Sequence, residues 1–248
     1  MKVTFFSYQY QPEIIDSILS KNKWLVLDDK NYELVIVLGG DGTFISALKK
    51  FHTQDAKIFL FNQGQLGFFE SEKDLSQVVA NDNNFSTFNY LQLTVNQDEK
   101  YYAINEFLLT VTNNPIDYKI FLDQNEFYQF CGTGCLIATS NGSTGMNRSL
   151  NGPILLDKDL FIFQEFLPVR NVNKHSLLQP IVLDIKQQLS IQILDENIDH
   201  LNLKVDGLVT SIKAKDMKIQ LNKSIAKIYL SSDTKALITK IKNKLLGE

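Results

Sequence analysis

Three glycines surround one acidic residue in the string Gly39-Gly40-Asp41-Gly42-Thr43. Glycines let a backbone turn tightly and approach a ligand without a Cβ atom in the way. If a helix follows, its free N–H groups favour an anion, so the string predicts a phosphate-binding loop. The carboxylate of Asp41 would then accept a proton from an attacking hydroxyl or hold Mg²⁺. The alternative is a tight turn in which Asp41 or Thr43 only caps the helix.

Two further segments have the composition of ligand-binding loops. Residues 62–69 form a second glycine-bearing turn, which includes Asn62 and Gly64. Either this turn shares one long phosphate-bearing ligand with the first loop, or it is a structural turn. Residues 132–152 are dense in glycines and small hydroxyl side chains. Such residues provide many short hydrogen-bond donors with little bulk, which suits a sugar-phosphate ligand but is also found in ordinary loops.

A polar pair, Asn105-Glu106, interrupts an otherwise apolar run at residues 101–111. Burying such a pair costs several kcal/mol unless its polar atoms are satisfied. Ribose hydroxyls, a base edge or a backbone partner would satisfy it. The pair is therefore a candidate contact for a nucleoside.

The elements that must position these residues follow from the apolar pattern. Strand-like runs at 2–7, 24–27, 33–38 and 57–61 alternate with helical spacing at 13–19, 44–51 and 74–79. This alternation predicts an α/β domain with a parallel sheet. Ligands bind at the carboxyl ends of such strands, which is where residues 39–43 and 62–69 fall.

The pattern changes after the polar stretch at residues 81–84. Helical spacing nearly disappears. Short β-branched or aromatic runs follow at 90–95, 101–111, 116–122, 134–139, 180–185, 190–194, 201–205 and 225–230. These runs predict an all-β, sandwich-like domain. We therefore divide the chain into an α/β domain at 1–84, an all-β domain at 85–231 and a helical tail at 232–248 that packs back on the first domain.

Composition excludes several classes of protein. The 248 residues carry a formal net charge of -3, so the broad basic field of a nucleic-acid-binding protein is missing. No stretch of about 18 apolar residues and no signal peptide is found, so we expect a cytoplasmic protein without a membrane partner. The only arginines are Arg148 and Arg170. Phosphate binding would therefore depend on backbone amides, lysines or a metal ion.

Taken in order, these segments resemble the NAD kinase family. Its members carry Gly-Gly-Asp-Gly-Thr, then Asn-x-Gly-x-Leu-Gly-Phe, an Asn-Glu pair and a Gly-Asp-Gly … Thr-Pro-Thr-Gly-Ser-Thr-Ala-Tyr block. A late Asp-Gly in the family is similar to Asp206-Gly207 here. The resemblance implies transfer of a phosphoryl group from ATP or polyphosphate to the adenosine 2′-hydroxyl of NAD, which gives NADP.

The resemblance also implies residue roles. Asp41 would be the catalytic base, and residues 85–231 would form the NAD-binding domain. The phosphate loop would comprise Gly39, Gly40, Gly42, Thr43, Asn62 and Gly64. NAD would contact Asp41, Gly42, Asn105, Glu106, Thr133, Thr144, Gly145, Met146, Asn147, Arg148 and Ser149. Mg²⁺ would arrive with ATP, without a ligand set from the protein alone, and the protein would be a homodimer or homotetramer.

Three departures from the family pattern involve four residues. Thr133 replaces an aspartate, Gly145-Met146 replaces Ala-Tyr, and Ser140 replaces a proline. The loss of one charged hydrogen bond is worth ~1.5–3 kcal/mol, so these changes bear on NAD affinity. Two alternatives therefore stay open: a non-catalytic sensor that binds NAD(P)(H), and a lipid kinase of the diacylglycerol kinase type. The lack of a basic amphipathic helix argues against the second.

Overall fold

The computed structural model describes residues 1–62, 69, 75, 85–170, 174–195, 201–229, 238 and 242. Several predicted features lie outside these residues: Gly64, the linker at 81–84, and, apart from single residues, the helix at 74–79 and the tail at 232–248. Within the described residues, no helix is both long and apolar enough to cross a membrane. The chain forms two compact units, Met1–Phe88 with Ser224–Glu248, and Asn89–Lys223.

Strands make up most of the regular structure of the described residues. The helices are α1 (Pro12–Lys21), α2 (Asp41–Phe51) and the single turn α3 (Met146–Ser149). The strands are β1 (Lys2–Phe6), β2 (Val26–Leu27), β3 (Leu34–Gly39), β4 (Lys57–Asn62), β5 (Phe85–Val95), β6 (Glu99–Ala103), β7 (Glu106–Thr110), β8 (Ile116–Leu122), β9 (Asn125–Thr139), β10 (Leu160–Val169), β11 (Ile181–Asp184), β12 (Leu189–Ile193), β13 (Leu201–Val205), β14 (Leu208–Ile212) and β15 (Asp216–Tyr229).

The first unit is built on a parallel sheet in the order β2-β1-β3-β4. The end of β15 adds a further parallel pairing to β4 through Lys227 and Ile228. Residues 34–38 of β3 are all buried. Since alternate side chains of a strand face opposite sides of the sheet, both faces of β3 are covered. The helix α2 buries Phe44, Ala47, Leu48 and Phe51, whose spacing places them on one helix face.

The second unit consists of antiparallel strands in the order β14-β13-β7-β9-β8-β12-β15. The long strand β9 pairs with β8 along its first half, and with β7 and β10 along its second half. Strands from both ends of this order contribute to one apolar core, which includes Leu203 of β13 and Ile219 of β15. The alternating burial along β15 is typical of a strand with one wet face. The finer description of this unit as a sandwich stays a prediction.

Candidate active site

The glycine-rich string lies directly between β3 and α2, as its sequence predicts. Asp41 is the first residue of α2, and Gly40 is the residue that precedes the helix. The N-cap position of this helix is occupied by Gly40, so neither Asp41 nor Thr43 is the N-cap residue. The first backbone N–H groups of a helix have no partner within the helix. They are therefore the donors that an anionic ligand would use here.

The three glycines of this loop differ in why the structure has glycine there. Gly39 has a φ of +156°, and a Cβ atom there would lie 2.5 Å from Oγ1 of Thr43. Packing inside the protein therefore requires glycine at this position. At Gly40 and Gly42, no described atom comes within 4 Å of where a Cβ atom would stand. These two glycines leave open space beside the helix start, which is what close approach of a ligand needs.

The second predicted turn begins beside the first. Asn62 and Gly39 are direct partners in the parallel pairing of β4 with β3. Further along the chain, the Phe69 backbone N–H donates to Oδ1 of Asp41 at 3.5 Å. The Phe69 ring also packs edge-on against Phe44 of α2, with 4.7 Å between ring centroids. Asp41 is therefore only partly exposed, and the segment after β4 returns to it.

In the second unit, Asp206 organises the backbone around the Asn105-Glu106 pair. Its carboxylate accepts hydrogen bonds from the backbone N–H groups of Ile104 at 3.0 Å, Asn105 at 2.7 Å and Glu106 at 3.1 Å. The Asp206 N–H in turn donates to the Glu106 carbonyl oxygen at 3.1 Å. One carboxylate thus satisfies three backbone donors between β6 and β7.

Asp206 reaches this position from a tight hairpin turn. Asp206 and Gly207 connect β13 to β14 with φ values of +46° and +91°. Positive φ at both central residues is the mark of a type I′ turn, for which Asp-Gly is a favoured sequence. The Asp-Gly dipeptide between two apolar runs could have predicted the turn. Its bonds to residues about 100 positions earlier could not be read from it.

The loop after β9 closes on the same pair from the other direction. The Thr139 hydroxyl donates to the Ile104 carbonyl oxygen at 2.7 Å. The Thr139 backbone N–H donates to the Asn105 carbonyl oxygen at 2.9 Å. A Cβ atom on Gly142 would lie 2.1 Å from the Asn105 carbonyl oxygen, so only glycine fits there. A Cβ atom on Gly145 would lie 3.7 Å from Oε2 of Glu106. The structure therefore brings Asn105, Glu106 and Gly145 together.

The electrostatics of Glu106 follow from this crowding. Burial, and then the negative charge of Asp206, raise the pKa of Glu106 to about 7, while Lys204 acts in the opposite direction. Near neutral pH, the Glu106 carboxyl group therefore exchanges between a hydrogen-bond donor and a charged acceptor. Both forms can bond to ribose hydroxyls or a base edge.

Comparison with known proteins places this chain in a family. A profile for the ATP-NAD kinase N-terminal domain matches residues 20–81. The NAD kinase of Mycoplasmoides gallisepticum is 33% identical over 240 residues, covering 91% of this chain and 86% of the relative. The chain belongs to the NAD kinase family. The NAD kinase of Ureaplasma parvum is 28% identical over 227 residues, covering 88% of this chain and 83% of the relative.

Two solved structures of the NAD kinase fold are similar to this chain. Yeast NADH kinase complexed with NADH matches with a TM-score of 0.74 and 18% identity, covering 99% of this chain and 86% of the other. An NAD kinase from Archaeoglobus fulgidus in complex with ATP matches with a TM-score of 0.72 and 19% identity, covering 97% of this chain and 98% of the other. At these identities, the likeness concerns the fold.

The remaining family positions differ in exposure. Gly145, Arg148 and Ser149 are exposed, and Thr144 and Met146 are partly exposed, as ligand contacts would be. Asn147 is fully buried. Its side-chain Nδ2 donates to the carbonyl oxygens of Ser143 at 3.1 Å and Pro153 at 2.8 Å. The side chain of Asn147 therefore holds the loop together, which sequence reasoning did not foresee.

Thr133 lies away from the Asn105-Glu106 pair. Its hydroxyl donates to the Phe166 carbonyl oxygen at 3.2 Å. The β9 partner of Glu106 is Ala138, five residues after Thr133, and a strand rises about 3.3 Å per residue. Thr133 is thus roughly 16 Å along β9 from that partner. Within one chain, the structure does not bring these two predicted NAD contacts together.

Proposed function

We propose that this enzyme transfers the terminal phosphoryl group of ATP or polyphosphate to the adenosine 2′-hydroxyl of NAD, with Asp41 as general base. As a member of the NAD kinase family, the protein phosphorylates NAD. The proposal adds the hydroxyl that is attacked and the residue that takes its proton. Because NAD and ATP are intracellular metabolites, we also propose that the enzyme acts in the cytoplasm.

The position of Asp41 is the observation that carries the proposal. Its carboxylate lies at the start of α2, next to the open space beside Gly40 and Gly42. Donor phosphates bound by the N–H groups of that helix start would place their charge beside the carboxylate. An acceptor hydroxyl that attacks the terminal phosphorus must lose its proton, and Asp41 is in position to accept it. The Phe69 N–H lies 3.5 Å from Oδ1 of the same carboxylate.

We propose that a divalent cation enters this site bound to the phosphoryl donor. The described residues contain no group of three or more His, Cys, Asp or Glu side chains that would hold a metal ion. Asp41 is the one carboxylate of residues 39–43. In this proposal Mg²⁺ is bound mainly by the donor phosphates, and the Asp41 carboxylate offers an oxygen ligand of the kind that Mg²⁺ binds. When bound, Mg²⁺ neutralises phosphate charge during transfer.

We assign NAD binding in the second unit to Asn105, Glu106 and the exposed part of residues 144–149. Glu106 would bond to ribose hydroxyls, and Asp206 would act as a positioning residue through its three backbone bonds. Because Thr133 lies far from Glu106 along β9, we assign its NAD contact to a neighbouring copy of the chain. The enzyme would then be a homodimer or homotetramer whose sites are completed by two subunits.

Coupled kinetics test the reaction and the base separately. Purified protein with NAD, ATP and Mg²⁺ should form NADP, and a scan of NADH and polyphosphate would define the substrates. Asp41→Asn should lower kcat by about 10²–10⁴-fold, the usual contribution of a positioned base. Asp55→Asn, which changes an exposed acid of the same unit, should leave kcat unchanged. Near-normal turnover of Asp41→Asn would show that the base is another group.

The departures at Thr133 and Met146 keep one alternative open for testing. A sensor protein would bind NAD or NADP without forming NADP from any phosphoryl donor. NAD binding by the purified protein, together with no turnover on ATP or polyphosphate, would favour that alternative over the proposed reaction.

A further inference from the structure

Two exposed tyrosines follow β1, at the same end of the sheet as the phosphate loop. Tyr8 is 69% exposed and Tyr10 is 83% exposed, which is unusual for large aromatic side chains. In the parallel pairing of β1 with β3, Phe6 lies opposite Val37. Gly39, two residues after Val37, is the last residue of β3. Tyr8, two residues after Phe6, lies just past the end of β1. The chain therefore leaves β1 level with the start of the glycine-rich loop.

The strand order places this segment on one defined side of the phosphate loop. β3 lies between β1 and β4. The turn after β4 begins at Asn62, next to Gly39, and so flanks the loop on one side. The segment at residues 7–11 flanks it on the other side. Adjacent parallel strands are about 4.8 Å apart, so both segments lie within reach of a ligand at the loop.

Side-chain contacts fix Tyr8 against the helix that carries Asp41. The Tyr8 hydroxyl shares a hydrogen bond with the hydroxyl of Ser46 on α2. The Tyr8 and Phe6 rings are in contact, with centroids 6.5 Å apart. Ser46 is five residues after Asp41, which corresponds to roughly 7 Å along the helix axis. The exposed Tyr8 ring thus lies beside the helix whose first residue is Asp41.

We propose that Tyr8 and Tyr10 bind the purine base of a nucleoside triphosphate donor by stacking. This inference rests on the proposed function, because it takes residues 39–43 as the site of the donor phosphates. Tyrosine suits this role because its ring offers a large, rigid face that stacks on any base. The pair would therefore favour nucleotides over inorganic polyphosphate without selecting one purine strongly.

Calorimetric titration tests the proposal by comparing donors with and without a base. The ligands are a non-hydrolysable ATP analogue and inorganic tripolyphosphate, each with Mg²⁺, added to the full-length protein. Loss of base stacking weakens binding by ~5–100-fold. The double variant Tyr8→Ala/Tyr10→Ala should therefore bind the ATP analogue ~5–100-fold more weakly. It should bind tripolyphosphate and NAD as the wild type does.

Two control variants separate stacking from a structural role of the segment. Tyr8→Phe keeps the ring but loses the bond to Ser46, and it should bind the ATP analogue within about threefold of the wild type if the ring face supplies the affinity. Trp24→Ala removes another exposed aromatic ring of the first unit, located just before β2, and should change neither affinity. Equal weakening of both ligands by the double variant would show that the segment only shapes the loop. Unchanged binding of the ATP analogue would overturn the proposal.

The outcome is distinguishable from failure of the proposed function. NADP formation by the wild type with ATP tests the reaction, and it does not depend on the tyrosines. An active wild type whose double variant keeps full affinity for the ATP analogue would overturn this inference alone. A wild type that forms no NADP would overturn the reaction, whatever the titrations show.

Discussion

Replacing Glu106 by glutamine removes a carboxyl group whose protonation is coupled to folding. Burial, and then the charge of Asp206, raise the pKa of Glu106 from its ordinary value of 4.5 to about 7 in the folded protein. The folded state therefore holds this proton more tightly than the unfolded state. The resulting stabilisation is complete below about pH 4.5 and is lost as the pH rises through 7.

The size of the effect follows from the difference between the two pKa values. A pKa difference of 2.5 (7 minus 4.5) corresponds to about 3.5 kcal/mol, at about 1.4 kcal/mol per unit. About 2–3 kcal/mol of this falls between pH 5 and pH 8. Glutamine cannot ionise, so Glu106→Gln should not lose this unfolding free energy as the pH rises. Relative to the wild type, the variant should gain about 2–3 kcal/mol of unfolding free energy between pH 5 and pH 8.

Urea unfolding at the two pH values, at one fixed protein concentration, measures this gain from the midpoints. Glu126→Gln is the matched control, because Glu126 is exposed and its hydrogen bond to Lys119 lowers its pKa. That variant should change slightly in the opposite direction. The stability difference between wild type and Glu106→Gln would be the same at both pH values if Glu106 had its ordinary pKa in the folded protein. That result would refute the raised pKa.

Other substitutions test the packing around the site. Gly142→Ala would place a Cβ atom 2.1 Å from the Asn105 carbonyl oxygen, so urea unfolding should show a loss of about 3 kcal/mol or more, and kinetics should show a raised KM for NAD. Gly40→Ala, in open space, should keep its stability but lose kcat/KM for ATP. Asp206→Ala removes the acceptor of three backbone bonds and should lose about 2–4 kcal/mol, with part recovered in Asp206→Asn. The hydroxyl of Tyr118 is buried without a hydrogen-bond partner among the described residues, so Tyr118→Phe should be as stable as the wild type or gain about 1 kcal/mol in thermal unfolding.

Local pattern predicted the elements of the first unit well. The apolar runs at 33–38 and 57–61 lie within one residue of β3 and β4. A strand buried on both faces leaves an uninterrupted apolar string, and the glycines that follow end it sharply. For this reason the position of Asp41 at a strand-to-helix turn could be predicted from the sequence alone.

Other elements depend on contacts that the sequence does not display. The run at 101–111 is divided into β6 and β7 by Ile104 and Asn105, whose backbone is held by Asp206 from far along the chain. β15 begins at Asp216, although only residues 225–230 were predicted as a strand. In its first half, the apolar residues Met217, Ile219 and Leu221 alternate with polar ones, and this alternation was an available signal for a strand. The strand β10 was not predicted at all.

The strand pairing of the first unit also constrains when it can fold. The parallel partner of β4 on one side is β3, and on the other side it is the stretch around Lys227 and Ile228. More than 160 residues must be synthesised after β4 before that partner leaves the ribosome. Until then, β4 has an unpaired edge, which is the kind of surface that chaperones shield from aggregation. A fragment cut at residue 84 would lack this β15 partner of β4, so the loop at residues 39–43 should be studied in the whole chain.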